Sequence, residues 1–102
     1  MSDYRFDTLQ VHAGFVSDKA TGARAVPIYQ TAAYHFEDVA DAAAQLALEK
    51  PGHIYGRLGN PTTAVLEERI TALEKGVGTV CFASGMAAII AAVQTLAESG
   101  SE

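Results

Sequence analysis

The chain has 102 residues, 49% of them apolar and 19% charged, enough apolar material for one ordinary domain and too much for a disordered one. Twelve Asp and Glu against seven Lys and Arg give a net charge of -5, which argues against a nucleic-acid or anionic-membrane surface as the main business. The single cysteine, Cys81, rules out a disulfide framework and a cysteine-rich metal site.

The opening, Met1-Ser2-Asp3-Tyr4, lacks the basic-then-apolar build of a secretory leader, so the expected setting is cytoplasmic. Residues 8–13 predict a short turn of helix. Residues 14–26, with Gly14, Asp18, Lys19 and Gly22, predict a loop. Pro27 keeps the residue before it out of helical space, so Pro27-Ile28-Tyr29-Gln30-Thr31 reads as extended chain. With Val26, Ile28, Tyr29, Tyr34 and Phe36, this first third is too apolar for a free tail and reads as an arm lying on another surface.

A helix is predicted over Val39 to Leu48, capped by Asp38, with Asp41 in its first turn and Pro51-Gly52 as its stop. Residues 53–59 form a glycine-rich loop. Asn60-Pro61 is a sharp helix start, and Leu66, Ile70 and Leu73 give the next helix an apolar stripe that Gly76 closes. Val77 to Ala83 predicts a short apolar strand, Ser84-Gly85 a turn, and Met86 to Ala97 a helix apolar on nearly all sides and therefore buried. Helix, strand, tight turn and buried helix are the opening of an α/β domain.

Charge is unevenly spread. All seven basic residues lie at or before Lys75, and from Gly76 onward only Glu98 and Glu102 are charged. The last strand and helix therefore call for cover, from further chain, another subunit or both. The run from Gly76 to Ala97 holds Thr79, Ser84, Gln94, Thr95 and several small residues, and reads as strand plus helix, not as a membrane span.

Two places can carry chemistry. At Ala83-Ser84-Gly85-Met86 a strand feeds a Ser-Gly turn and a helix starts at once. A phosphate there would accept from the first helical amides near Gly85 and Met86 and from the Ser84 hydroxyl. Taken alone, the junction reads better as a simple cap and turn, because strand-Ser-Gly-helix junctions are common. Tyr55 and Arg57, two residues apart in extended chain, would point the same way and offer a hydroxyl and a bidentate cation. Taken alone, they read equally as an exposed Arg and a half-buried Tyr on a surface loop. His12, His35 and His53 have no metal-pair spacing, and Cys81 reads as an inert buried thiol. Gly76-Val77-Gly78 precedes its strand and so is no dinucleotide fingerprint.

Together, Tyr55-Gly56-Arg57…Asn60-Pro61-Thr62 and Ser84-Gly85-Met86-Ala87-Ala88 resemble the N-terminal part of the Cys/Met-metabolism enzymes that depend on pyridoxal 5'-phosphate. Thr8-Leu9-Gln10-Val11-His12-Ala13-Gly14, Gly22-Ala23-Arg24-Ala25-Val26-Pro27-Ile28-Tyr29-Gln30-Thr31 and Asn60-Pro61-Thr62-Thr63 resemble the O-acetylhomoserine sulfhydrylase branch. The resemblance covers essentially the whole chain. It implies an α/β fold of type I, aspartate-aminotransferase-like. Residues 1–59 would be an intersubunit arm, short helix and cofactor-phosphate loop, and residues 60–102 the incomplete start of the cofactor-binding domain.

It further implies that Tyr55 and Arg57 reach the cofactor phosphate of a neighbouring subunit, Tyr55 also taking part in proton transfer. Gly85 and Met86, with Ser84 alongside, would hold the phosphate of their own subunit. The implied reaction joins sulfide or a thiol to O-acetylhomoserine, giving homocysteine or methionine, in a homo-oligomer, a dimer of dimers, with no metal, nucleic acid or membrane. Family members are several times longer, and the lysine that carries the cofactor lies further on. Neither Lys50, before a Pro-Gly stop, nor Lys75, at the end of an exposed helix, fits that role, so these residues alone are expected to be inactive. Cystathionine γ-synthase, cystathionine γ-lyase and methionine γ-lyase share both motifs and stand as alternatives. Outside catalysis, an assembly piece or a phosphate-binding module remains open.

Overall fold

The computed structural model describes residues 4–101, which hold four helices: α1 (Phe6–His12), α2 (Val39–Leu46), α3 (Pro61–Glu74) and α4 (Gly85–Leu96). Helix α1 has no side-chain cap. Asp7 in its first turn and His12 in its last suit the helix dipole. Among these helices only α1 and α3 pack together. Ala13, 1% exposed, is the apolar centre of that contact, and Arg69 Nε donates to its carbonyl at 2.8 Å. Gly14 is needed here on two counts. Its φ is +75°, and a Cβ would lie 2.4 Å from the Val65 carbonyl oxygen and 2.9 Å from the Arg69 nitrogen.

The start of α2 is as the sequence predicts: Asp38 Oδ1 accepts from the Asp41 amide at 2.7 Å. Its end is not. The helix stops at Leu46, Leu48 turns left-handed (φ 59°), and the amides of Glu49 and Lys50 return to the Ala44 carbonyl. That reversal carries Lys50 Nζ onto Asp41 Oδ1, so an ion pair, not Pro51-Gly52, closes the helix. Asp41 also accepts from Gln45 Nε2 and the Glu37 amide. The Lys50 bond first, then Gln45 and the Glu37 amide, hold its carboxyl down to about 2.

Helix α3 begins on Asn60, whose side chain accepts from the Thr62 amide at 2.8 Å, with Pro61 at the first helical position. Lys75 (φ 53°), not Gly76, adopts the left-handed closing conformation, and the Gly76 amide bonds the Thr71 carbonyl at 3.0 Å.

The strand expected over Val77–Ala83 does not form. Among the described residues the only β pairing is an isolated antiparallel bridge between Ala33 and Tyr55. A strand needs a second strand for its amides and carbonyls, and none lies beside this segment. Side chains of α3 hold it instead: Glu67 Oε1 accepts from the Cys81 amide at 2.9 Å, and the Thr71 and Thr79 hydroxyls bond at 2.8 Å.

Helix α4, expected to be buried, touches no other helix and leaves Ile89, Val93 and Leu96 59%, 56% and 88% exposed. Only Ala13 and Gln45 are buried among the described residues. The radius of gyration is 16.6 Å, against about 13 Å for a compact chain of this length. An open groove of about 1000 Å³, lined by Tyr4, Phe6, Leu9, Leu73 and Val77 among others, runs beside α1 and α3. The apolar surface called for by the uncharged last third is thus present and bare.

Candidate functional site

Ser84 sits in extended backbone (φ -152°, ψ 156°) and caps α4, its Oγ accepting from the Ala87 amide at 3.2 Å. A capping hydroxyl uses one lone pair and keeps its O–H to donate. The Gly85 and Met86 amides, first in the helix, find no acceptor among the described residues. A Cβ built on Gly85 would meet nothing within 4 Å, so the approach to these amides is open. Two amides, one hydroxyl and the positive end of a twelve-residue helix suit an anion, and this donor set is compatible with a cofactor phosphate.

Tyr55 and Arg57 lie in a turn, not in extended chain as the sequence suggests. The Leu58 and Gly59 amides both donate to the Tyr55 carbonyl, at 2.8 and 3.1 Å. The turn still puts the side chains together: the Arg57 guanidinium carbon is 5.4 Å from the centroid of the Tyr55 ring. Both side chains are exposed. The loop is strapped to the arm, the Tyr34 amide donating to the Ile54 carbonyl and the Gly56 amide to the Ala32 carbonyl, at 3.2 and 2.7 Å. The Tyr34 and His53 rings meet tilted at 40°, their centres 5.5 Å apart.

Within one chain no hydrogen bond joins this loop to the Ser84 turn. Sequence reasoning missed a second set of ties. The Thr62 hydroxyl accepts from the Tyr29 amide and donates to the Pro27 carbonyl, and Asn60 Nδ2 donates to the Tyr29 carbonyl. The signal was two polar side chains flanking Pro61, of which a helix start needs only one. No cluster of His, Cys, Asp and Glu suited to a metal occurs among the described residues, and none of its helices is long and apolar enough to cross a membrane.

The Ser84 turn presents two unpartnered amides at a helix start, and the Tyr55–Arg57 pair stands exposed on its loop. Residues 7–102 match the family described as Cys/Met metabolism PLP-dependent enzyme, and the chain belongs to that family. It is 47% identical over 95 residues to the homocysteine synthase of Schizosaccharomyces pombe, covering 93% of this chain and 22% of the relative. To O-acetyl-L-homoserine sulfhydrylase 1 of Thermus thermophilus it is 48% identical over 96 residues, 94% of this chain and 23% of that one.

A crystal structure from Campylobacter jejuni, described as an O-acetylhomoserine (thiol)-lyase, superposes with a TM-score of 0.90 at 42% identity, over 96% of this chain and 24% of that one. That neighbour carries N'-pyridoxyl-lysine-5'-monophosphate at its position 205. The fold is therefore the opening of the type I fold of pyridoxal-phosphate enzymes, and the chain spans less than a quarter of the length of these relatives.

Proposed function

We propose that the protein carrying this segment is a pyridoxal-phosphate-dependent sulfhydrylase that makes homocysteine or methionine from O-acetylhomoserine and sulfide or a thiol. In that reaction the Cγ–O bond to the acetyl group breaks, a Cγ–S bond forms, and acetate and a proton are released. The identity to homocysteine synthase and O-acetylhomoserine sulfhydrylase supports the substrates. The observation that carries the role of this segment is the Ser84 turn, with its two unpartnered amides and an open approach at Gly85.

Gly85 and Met86 then donate their amides, and Ser84 its hydroxyl, to the cofactor phosphate. Arg57 and Tyr55 reach the same phosphate from a neighbouring subunit, and we assign Tyr55 the movement of a proton near the substrate. Bound pyridoxal phosphate supplies the electron sink for the bonds that change. Residues 1–59 serve as the intersubunit arm and phosphate loop, and residues 60–102 open the cofactor-binding domain of a homo-oligomer, a dimer of dimers. The acidic charge and single free thiol suit a cytoplasmic setting.

The test is turnover by the purified protein loaded with pyridoxal phosphate. Sulfide and O-acetylhomoserine should yield homocysteine and acetate. Cleavage of cystathionine, with no product from O-acetylhomoserine, would contradict the proposal.

A further inference from the structure

The arm and the Tyr55–Arg57 loop are tied together at two places, and only one of them is a backbone bridge. Near the loop's start, Ile54 and Gly56 pair with Tyr34 and Ala32. Near its end, the tie is made by side chains from the first turn of α3. The Thr62 hydroxyl spends both its donor and its acceptor on the arm, donating to the Pro27 carbonyl at 2.8 Å and accepting from the Tyr29 amide at 2.9 Å. Asn60 divides its amide. Its Oδ1 caps α3 through the Thr62 amide, while Nδ2 donates to the Tyr29 carbonyl at 2.8 Å and to the Tyr34 hydroxyl at 3.4 Å.

Tyr55 sits inside the first anchor and Arg57 between the two, and among the described residues neither side chain makes a hydrogen bond. A long exposed arginine whose loop is unanchored loses affinity to the entropy of ordering it.

We propose that Thr62 and Asn60 are positioning residues for the phosphate-binding pair. By pinning residues 27–29 of the arm to the start of α3, they hold the Tyr55–Arg57 loop in its binding shape without touching the phosphate themselves. The inference rests on the assignment of Arg57 to the cofactor phosphate. Sequence alone gives Asn60 only its cap and Thr62 no role. Three bonds to backbone groups more than thirty residues away give both a second one.

The test uses the full holoenzyme and reads the dissociation constant of pyridoxal phosphate together with amide hydrogen exchange. Thr62→Val keeps the shape and removes the hydroxyl. It should weaken the cofactor about 3- to 10-fold, the worth of one or two ordinary hydrogen bonds, and speed exchange at the Tyr29, Tyr34 and Gly56 amides. Thr62→Ser, which restores the hydroxyl, should restore both. Asn60→Ser retains a helix cap and loses the arm bond. It should weaken the cofactor with little change in thermal stability, and it stands in if Thr62→Val does not fold.

In an Arg57→Ala background each change should weaken the cofactor by clearly less than in the parent, because only Tyr55 is left to be positioned. Additive losses, or unchanged exchange at Gly56, would overturn the positioning role while leaving Arg57 its own. An Arg57→Ala variant that binds the cofactor as tightly as the parent would overturn the phosphate assignment and this inference with it.

Discussion

Two regions of the chain solve the same problem in opposite ways. Residues 27–34 and 54–62 bury almost nothing, yet they are fixed by directed bonds: a two-bond bridge at Ala33–Tyr55 and three side-chain ties from Asn60 and Thr62. Residues 77–96 carry the most apolar surface and are fixed by little, one Glu67 bond, one Thr71 bond and a helix cap. Hydrogen bonds specify where a segment goes with small net energy, while apolar burial supplies energy with little direction. The first region is positioned by its own sequence. The second has its local shape but no cover, so its stability has to come from chain or subunits packed against it.

The largest expected effect breaks the comparison at its apolar side. Residues 1–102 by themselves should self-associate in sedimentation and bind an apolar dye, because Ile89, Val93 and Leu96 are exposed together with the groove beside α1. A monodisperse, cooperatively unfolding monomer would show that little cover is needed.

The next effect tests the α1–α3 contact, the only packed helix pair among the described residues. Gly14→Ala forces a methyl onto the Val65 carbonyl at a positive φ and should cost roughly 2–4 kcal/mol in denaturant unfolding of the full protein. Gly22→Ala shares the positive φ (+67°) but meets nothing within 4 Å, so it should cost only about 1 kcal/mol. Equal effects would mean that the α1–α3 contact is looser than described.

The smallest effect concerns α2. The Asp41 carboxyl is held at about 2, below its ordinary 3.8, chiefly by Lys50. A lowered folded value means that this tie contributes stability above about pH 4 and loses it as the pH falls towards 2. An NMR titration of the Asp41 side chain should give a midpoint near 2 in the parent and a higher one in Lys50→Met, still below the ordinary value because Gln45 and the Glu37 amide still donate. A parent midpoint near 4 would remove the ion pair as the closure of α2.

What the sequence made legible was local. Asp38, Asn60 and Ser84 are caps because each bond spans two or three residues, and a side chain that short has few other places to go. The helix ends were harder. Pro51-Gly52 and Gly76 were expected to end the two helices, but the left-handed residues Leu48 and Lys75 end them first, where the chain reverses and its amides return to the last turn. The strand at Val77–Ala83 was read from β-forming residues, but a strand is a property of two segments and its partner is not among these residues.

Helix physics alone shows that the Ser84 turn is able to take an anion, but taken alone the turn reads better as a plain cap. The Tyr55–Arg57 pair could not be read even that far, since one loop does not say what it faces. The arm ties of Thr62 escaped because their partners lie 33 and 35 residues away.

The central claim is that the phosphate site is shared across an interface, with Arg57 from one subunit and the Gly85 turn from the other. Arg57→Ala alone should weaken the cofactor about 10- to 100-fold, the loss of a charge-assisted contact. The direct test mixes two full-length variants, one carrying Arg57→Ala and the other Gly85→Val, which blocks the turn, at a cofactor concentration too low for either alone to be active. A mixed dimer then has one site with both defects and one with neither. Activity should return on mixing, to about half the parent level per mixed dimer when sites are independent. No return of activity, with subunit exchange proven, would contradict the shared site and put Arg57 either in its own subunit's site or away from the phosphate.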